Sequence, residues 1–211
     1  VGRFVVIEGS EAAGKSTQAA LLAERLGAVL THEPGGTAVG AALRGLLLDL
    51  PLAPVPRAEA LLMLADRAQH VAEVIEPALA QGRDVVCDRY SGSTLAYQGY
   101  GRGLGFGELR EINEWATGGR SPDVVVLLDV PAAVACQRRG SSSPDRIEAA
   151  GEEFLERVQS GFRQLAAADP LRWRVVDATG SVEEVAQRVW TAVATGAATS
   201  EKAGHSWLKT T

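Results

Sequence analysis

The sequence predicts an α/β domain in which a parallel sheet is covered by helices on both faces. Three observations carry that prediction. Short apolar runs alternate with segments of helical periodicity along the chain, the pattern of successive strand–crossover–strand units. The run Asp123–Leu128 is nearly all Val and Leu, the composition of a strand covered on both sides. A glycine loop follows the first apolar run and opens directly into a helical pattern.

Taken in order, Arg3–Ile7 reads as a buried first strand. Lys15–Leu26 places Ala19, Leu22, Ala23 and Leu26 on one helical face. Ala28–Thr31 is a short second strand. Val39–Leu50 is a helix ended by the proline-rich stretch Pro51–Pro56. Arg57–Ala80 reads as one long helix with a kink at Pro77, whose ring cannot fit a regular helical turn. Asp84–Cys87 is the third strand and Asp123–Leu128 the fourth. Val134–Arg139 and Glu148–Ala168 are helical, Trp173–Val176 is the fifth strand, and Val182–Ala194 is the last helix. Three segments read as irregular. Gly99–Gly107 holds five glycines in nine residues. Gly140–Asp145 is small and polar, with Arg138, Arg139 and Arg146 at its edges. Gly196–Thr211 shows no periodicity and reads as a disordered tail. The expected organisation is therefore one domain over residues 1–195, with a mobile segment near 138–148.

At 211 residues the chain suits a single α/β domain, and its 46% hydrophobic content is that of a soluble one. The net charge of -5 argues against nucleic-acid and anionic-membrane partners, so any bound phosphate must be held by a local cluster of Arg and Lys. No apolar run approaches the roughly 20 residues of a membrane span. The N-terminal apolar run leads into a glycine loop rather than a signal-peptide cleavage site. A cytoplasmic location is expected. Cys87 and Cys136 lack the spacing of a zinc site. A disulfide stays open from sequence, with two reduced thiols the reading that fits a cytosolic protein.

Gly9-Ser10-Glu11-Ala12-Ala13-Gly14-Lys15-Ser16 matches G-x-x-x-x-G-K-[ST] in full, between a strand and a helix start, with Thr17 following. Glycines let successive N–H groups turn inward on phosphate oxygens, and the helix adds its positive end. Lys15 reaches the β- and γ-phosphates of a nucleotide, and the Ser16 hydroxyl suits Mg²⁺. Asp88 follows the third strand, so it faces the ligand crevice and is a second candidate for Mg²⁺, through water. Its neighbour Arg89 would meet a phosphate. By itself, the Asp66-Arg67 pair on the long helix reads as a solvated face, and His70 as a packed or surface histidine. Arginines on a mobile segment suit phosphoryl transfer, where charge grows on oxygens stripped of water. A charge run beside a loop is as readily solvent-facing.

Several motifs occur together in one order: Phe4-Val5-Val6-Ile7-Glu8-Gly9, the phosphate loop, Glu33-Pro34-Gly35-Gly36-Thr37, Ala65-Asp66-Arg67-Ala68-Gln69-His70, Asp88-Arg89-Tyr90, Leu95-Ala96-Tyr97-Gln98-Gly99 and Asp145-Arg146-Ile147-Glu148. In that order the chain resembles the bacterial thymidylate kinases over about residues 3–193. The Glu-Pro-Gly-Gly-Thr and Ala-Tyr-Gln-Gly stretches are more diagnostic than the phosphate loop, which unrelated enzymes share. The resemblance implies a three-layer P-loop NTPase fold with a five-stranded parallel sheet, a homodimer, Mg-ATP as donor and dTMP as acceptor. It implies that Glu11 helps position the acceptor sugar and the metal, and that Arg44, Arg67 and Arg89 hold the acceptor 5′-phosphate. Glu33 and Pro34 would lie at the acceptor site, with Tyr97 beside the deoxyribose and Gln98 and Ser93 or Thr94 near the thymine edge. Arg139 and Arg146 resemble catalytic lid arginines beside Lys15.

The chain departs from the family at three positions. His32 stands where Arg is common. Met63 stands where Phe usually stacks on thymine, exchanging ring stacking worth about 1 kcal/mol for a soft thioether contact. Ala12 stands where Gly is usual, so the loop is expected to avoid glycine-only backbone there. The rival readings are a kinase for another nucleotide or nucleoside, and a nucleotide-binding switch. The switch is disfavoured because no N-K-x-D base-reading motif is present.

Overall fold

The computed structural model describes residues 2–48, 54–139, 146–147 and 150–200, with the side chains of Arg139 and of residues 196–200 outside that description. Five strands form one sheet: β1 (Phe4–Gly9), β2 (Val29–His32), β3 (Val85–Asp88), β4 (Val124–Asp129) and β5 (Trp173–Asp177). Their order is β2-β3-β1-β4-β5, and every pairing is parallel. β1 is central and buried along its full length. Its side chains alternate between two apolar layers, as the pleat requires. Val5 and Ile7 join Val126, Leu128, Leu22 and Val189 on one face. Phe4 and Val6 join Ile75, Leu79, Val85 and Val125 on the other.

The first helices follow the sequence expectation closely: α1 (Lys15–Leu26) and α2 (Ala38–Leu48). Asp49 and Leu50, read as the end of the second helix, lie outside the described residues, as do residues 51–53 of the proline-rich stretch. The expected long helix is α3 (Pro56–His70), a π-helical turn (Val71–Ile75) and α4 (Glu76–Ala80). Pro77 supplies no N–H and crowds the carbonyl four residues back, so the ladder widens just before it. The Glu76 N–H accordingly reaches back to the Val71 carbonyl, five residues away.

The glycine-rich segment read as irregular is helical at residues 99–101 and 106–107 and irregular only over 102–105. α5 (Ser91–Thr94) continues into a π-helical segment (Leu95–Gly101). Two glycines, Gly101 here and Gly161 on α8 (Glu152–Ala168), let the segment pack closely against that helix. A Cβ on Gly101 would lie 2.5 Å from the Phe154 ring, and one on Gly161 would lie 2.5 Å from Tyr100. α6 (Phe106–Thr117) was not foreseen. Its buried positions, Leu109, Asn113 and Thr117, are spaced as a helix face, yet two of the three are polar. α7 (Ala132–Arg139) and α9 (Val182–Ser200) complete the described helices. α9 runs past the expected end at Ala194 into the segment read as a tail, whose residues 201–211 lie outside the described residues. Gly140–Asp145 and Glu148 also lie outside them. Both cysteines are free, Cys87 buried and Cys136 exposed. Among the described residues no helix is long and apolar enough to cross a membrane.

Candidate active site

The phosphate loop leaves the carboxyl end of β1 beside the ends of β3 and β4, because Ile7 is in register with Asp88 and Gly9 with Leu128. A Cβ on Gly9 would come within 2.7 Å of the Leu128 carbonyl, so only glycine lets the chain pass β4 there. Gly14, at φ 90°, turns the loop into α1. Ala12 sits at φ 55°, in the left-handed region that residues other than glycine enter only at a cost. For an alanine this conformation costs about 1–2 kcal/mol. The loop therefore imposes its shape on the residue.

Lys15 is buried, and its Nζ donates to the Ser10 carbonyl at 2.6 Å across the loop. Burial, then the nearby Arg89 guanidinium, lowers its pKa to about 8. The protonated amine is the form that faces phosphate. Its loss therefore begins near pH 8 rather than near the ordinary 10.5. We expect kcat/KM for Mg-ATP to fall above about pH 8 by about tenfold per unit, and kcat to hold to higher pH because bound polyphosphate raises the Lys15 pKa again. A kcat/KM profile flat to pH 9.5 would refute this. The folded state binds fewer protons than the unfolded state between about pH 8 and 10.5, so the Lys15 contribution to stability rises with pH across that window.

Glu8, one residue before the loop, is wholly buried in β1. It accepts from the Tyr90 N–H at 3.0 Å, the Ser93 N–H at 2.9 Å and the Ser93 hydroxyl at 2.6 Å. Burial pushes its pKa up to about 7, against these bonds and Arg89. Glu8 thus fixes the turn that carries Arg89. A charged residue inside an apolar strand is itself a signal, because such groups are seldom buried without partners. Arg89 occupies a strained φ of 70° and donates to the Gly9 carbonyl, the Ser93 hydroxyl and Glu11. Its guanidinium also lies 5.2 Å from the centre of the Tyr97 ring. Strain of this kind persists where the surroundings over-determine it.

A cavity of about 550 Å³ opens from the phosphate loop. Its lining includes Glu11, Lys15, Ser16 and Asp88, together with Glu33, Pro34, Arg44, Met63, Arg67, Arg89, Ser93, Thr94, Tyr97 and Gln98. Every residue singled out for the acceptor thus reaches one space. Ser16 Oγ donates to Asp88 Oδ2 at 2.5 Å, while Asp88 Oδ1 is buried with no partner among the described residues. Arg44 is held by the Pro34 carbonyl at 3.0 Å. Tyr97 is wedged edge-on against Phe162.

Arg67 departs from the solvated face that its helix alone suggested. Neither it nor Asp66 is on a solvated face: both are buried. Arg67 donates to Glu33 at 2.8 Å, the Thr94 hydroxyl at 2.8 Å, the Asn113 amide oxygen at 2.6 Å and the Tyr90 carbonyl at 2.9 Å. Four of its five N–H donors are so occupied, and it lies at the floor of the cavity that Arg44 and Arg89 also line. Glu33 also takes His70 Nδ1 at 2.8 Å, and His70 Nε2 meets the Thr31 hydroxyl at 2.6 Å. Asp66 holds the Gly35 N–H at 2.9 Å. The Glu33–Thr37 loop is therefore braced from α3, and His70 is a packed histidine.

Arg146 donates its Nε to the Leu47 carbonyl at 2.7 Å and its Nη2 to Glu59 at 2.8 Å. A buried carboxylate needs cations, and Glu59 captures this one. Arg138 donates to the Ala178 carbonyl at 2.8 Å. The Arg139 side chain lies outside the described residues.

Residues 7–189 match the sequence model of the family described as thymidylate kinase. The chain belongs to the thymidylate kinase family. The thymidylate kinase of Synechococcus sp. (strain JA-3-3Ab) is 52% identical over 196 residues, covering 90% of this chain and 94% of that protein. That of Roseiflexus sp. (strain RS-1) is 47% identical over 205 residues, covering 88% and 91%. Among solved structures, the thymidylate kinase of Ehrlichia chaffeensis superposes with a TM-score of 0.77 at 30% identity, covering 91% of this chain and 98% of that one. The five-stranded parallel sheet is thus the thymidylate kinase fold. Within that framework, sequence reasoning assigned no role to Glu8, Glu59, Arg102 or Asn113. Glu8 carried the signal of a charge in a buried strand. Glu59 reads as an ordinary acid in a helix's first turn, and Asn113 lies on the helix that was not foreseen.

Proposed function

We propose that this chain transfers the γ-phosphoryl group of Mg-ATP to the 5′-phosphate of dTMP, giving dTDP and ADP. The observation that carries this reading is one cavity lined both by Lys15 and Ser16 of the phosphate loop and by Arg44, Arg67 and Arg89. The attacking phosphate oxygen is already anionic, so no strong general base is needed, and catalysis is positioning plus charge neutralisation. Lys15 neutralises the donor phosphates. Arg44 and Arg89 hold the acceptor phosphate, each charge-assisted bond contributing about 1.5–3 kcal/mol. Ser16 and the unpartnered Asp88 Oδ1 fit Mg²⁺, which takes few protein ligands and keeps its waters. When bound, Mg²⁺ offsets charge on the transferring phosphates.

The base edge is matched by donor and acceptor polarity. Arg67 donates to Thr94 Oγ1, which leaves the Thr94 proton for a carbonyl oxygen. Gln98 gives its Nε2 to Glu59, which leaves its carbonyl oxygen for an N–H donor. Thymine carries that carbonyl and N–H pair, and cytosine carries the reverse. The Tyr97 ring disfavours a 2′-hydroxyl. For the second copy in a homodimer, α2 and α3 offer Val39, Leu46 and Leu61 outward, with Trp115 on the neighbouring α6. A cytoplasmic location goes with these substrates.

A coupled ADP-release assay over dTMP, dUMP, UMP and dCMP with Mg-ATP tests the proposal. We expect dTMP to give the highest kcat/KM, dUMP to follow, and UMP and dCMP to trail. ADP release that no acceptor stimulates would overturn it.

A further inference from the structure

Glu59 lies in the first turn of α3, outside every motif of the site, and its side chain is only 1% exposed. Three side chains from other parts of the fold converge on it. Gln98 Nε2 donates to Oε1 at 2.9 Å. Arg102 Nε donates to Oε1 at 3.2 Å and its Nη2 to Oε2 at 3.1 Å. Arg146 Nη2 donates to Oε2 at 2.8 Å. The fork from Arg102 engages both oxygens, so the carboxylate cannot rotate without breaking two charge-assisted bonds.

This geometry constrains Gln98. A primary amide offers a carbonyl on one side and an NH₂ on the other, and a half-turn of its terminal torsion exchanges them. An ionised carboxylate only accepts, so Gln98 must meet Glu59 with its NH₂. The carbonyl oxygen is thereby turned to the other side, and Gln98 lines the acceptor cavity. An acceptor at that position pairs with the ring N3–H of thymine or uracil. It opposes the N3 lone pair of cytosine, which would leave two acceptors face to face.

We infer that Glu59 is a positioning residue for substrate selectivity: it locks the Gln98 amide with its carbonyl toward the pyrimidine, so that the pocket takes imide bases and rejects cytosine. This rests on the reading of Gln98 as a base contact. Glu59→Gln removes the lock, because an amide at residue 59 both donates and accepts and allows Gln98 to turn over.

The test compares kcat/KM for dTMP and dCMP in the wild type, Glu59→Gln, Glu59→Asp and Gln98→Ala. In Glu59→Gln the dTMP-to-dCMP ratio falls at least about tenfold, mainly through the dTMP KM, with kcat within about threefold. Glu59→Asp keeps the charge but draws the acceptor back by one methylene. It shifts the ratio in the same direction and covers the case in which Glu59→Gln does not fold. A purely structural role would lower the melting temperature and both efficiencies in proportion, leaving the ratio unchanged, and that result overturns the inference. If Gln98→Ala also leaves the ratio unchanged, the base-contact reading of Gln98 fails. If Gln98→Ala lowers the ratio and the Glu59 variants do not, Gln98 reads the base unaided and only the role of Glu59 is lost. In the wild type, the Gln98 side-chain NH₂ protons should exchange slowly with solvent, and that protection should fall in Glu59→Gln. Equal protection in the two proteins overturns the lock.

Discussion

Lys15→Ala should abolish phosphoryl transfer, lowering kcat by at least about a thousandfold, while the protein stays folded. The two halves of this expectation come from the same burial. The Lys15 ammonium sits where the phosphate loop closes, with the Ser10 carbonyl as its hydrogen-bond acceptor. No other cation of the loop can replace it, since Gly9–Ser16 contains no arginine. In the free protein, however, the charge is costly, as its depressed pKa of about 8 shows. Removing it takes away an unfavourable desolvation together with some aliphatic packing, and the two largely offset. Stability should therefore change by no more than about 1 kcal/mol at neutral pH. Steady-state turnover and a thermal melt on the same preparation check both halves. A folded Lys15→Ala protein that keeps a tenth of wild-type kcat would remove Lys15 from the mechanism.

Arg67→Ala has the largest expected effect on stability. The substitution leaves the Glu33 carboxylate buried beside His70 without its guanidinium, and strips donors from the Thr94 hydroxyl, the Asn113 amide oxygen and the Tyr90 carbonyl. Removing one partner of a buried ion pair typically costs about 3–5 kcal/mol, and the orphaned neutral acceptors add to that. Lysine should not rescue it, because an ammonium cannot reach four acceptors arranged around a planar fork. Urea unfolding monitored by circular dichroism checks the magnitude. A loss under about 1 kcal/mol would show that the network contributes no net stability and that Arg67 serves only the substrate. The two variants thus separate two kinds of buried cation. Lys15 has its charge exposed to the ligand and costs stability, whereas Arg67 has its charge spent on the protein and supplies it.

The inner strands β1, β3 and β4 were legible because a parallel sheet covered on both faces demands continuous apolar runs. The glycine loop was legible because its spacing serves a local purpose. Other features were hidden for identifiable reasons. α6 escaped because it buries Asn113 and Thr117, polar residues that only their partners across the fold make compatible with burial. The segment around Gly99 and Gly101 looked like a loop because composition does not distinguish a glycine that bends the chain from one that admits a neighbouring helix. Arg67 and Asp66 looked solvent-facing because a charged pair on a helix carries no record of Glu33, 34 residues away, or of Gly35, 31 residues away.

The sequence alone determined the sheet-and-helix alternation and the phosphate loop, which depend on local spacing and on side-chain chemistry that does not change with context. The residues of the acceptor cavity were named through the resemblance to the thymidylate kinases. Only the tertiary structure decided what each charged group does: Arg67 as floor, Arg146 as a partner of Glu59, Glu8 as the brace of the Arg89 turn, and Ala12 in a conformation its neighbours impose. The physical reason is that a buried charge takes its role from whichever opposite or hydrogen-bonding group lies within about 3 Å, and that neighbour is chosen by the fold rather than by the residues next to it in the chain.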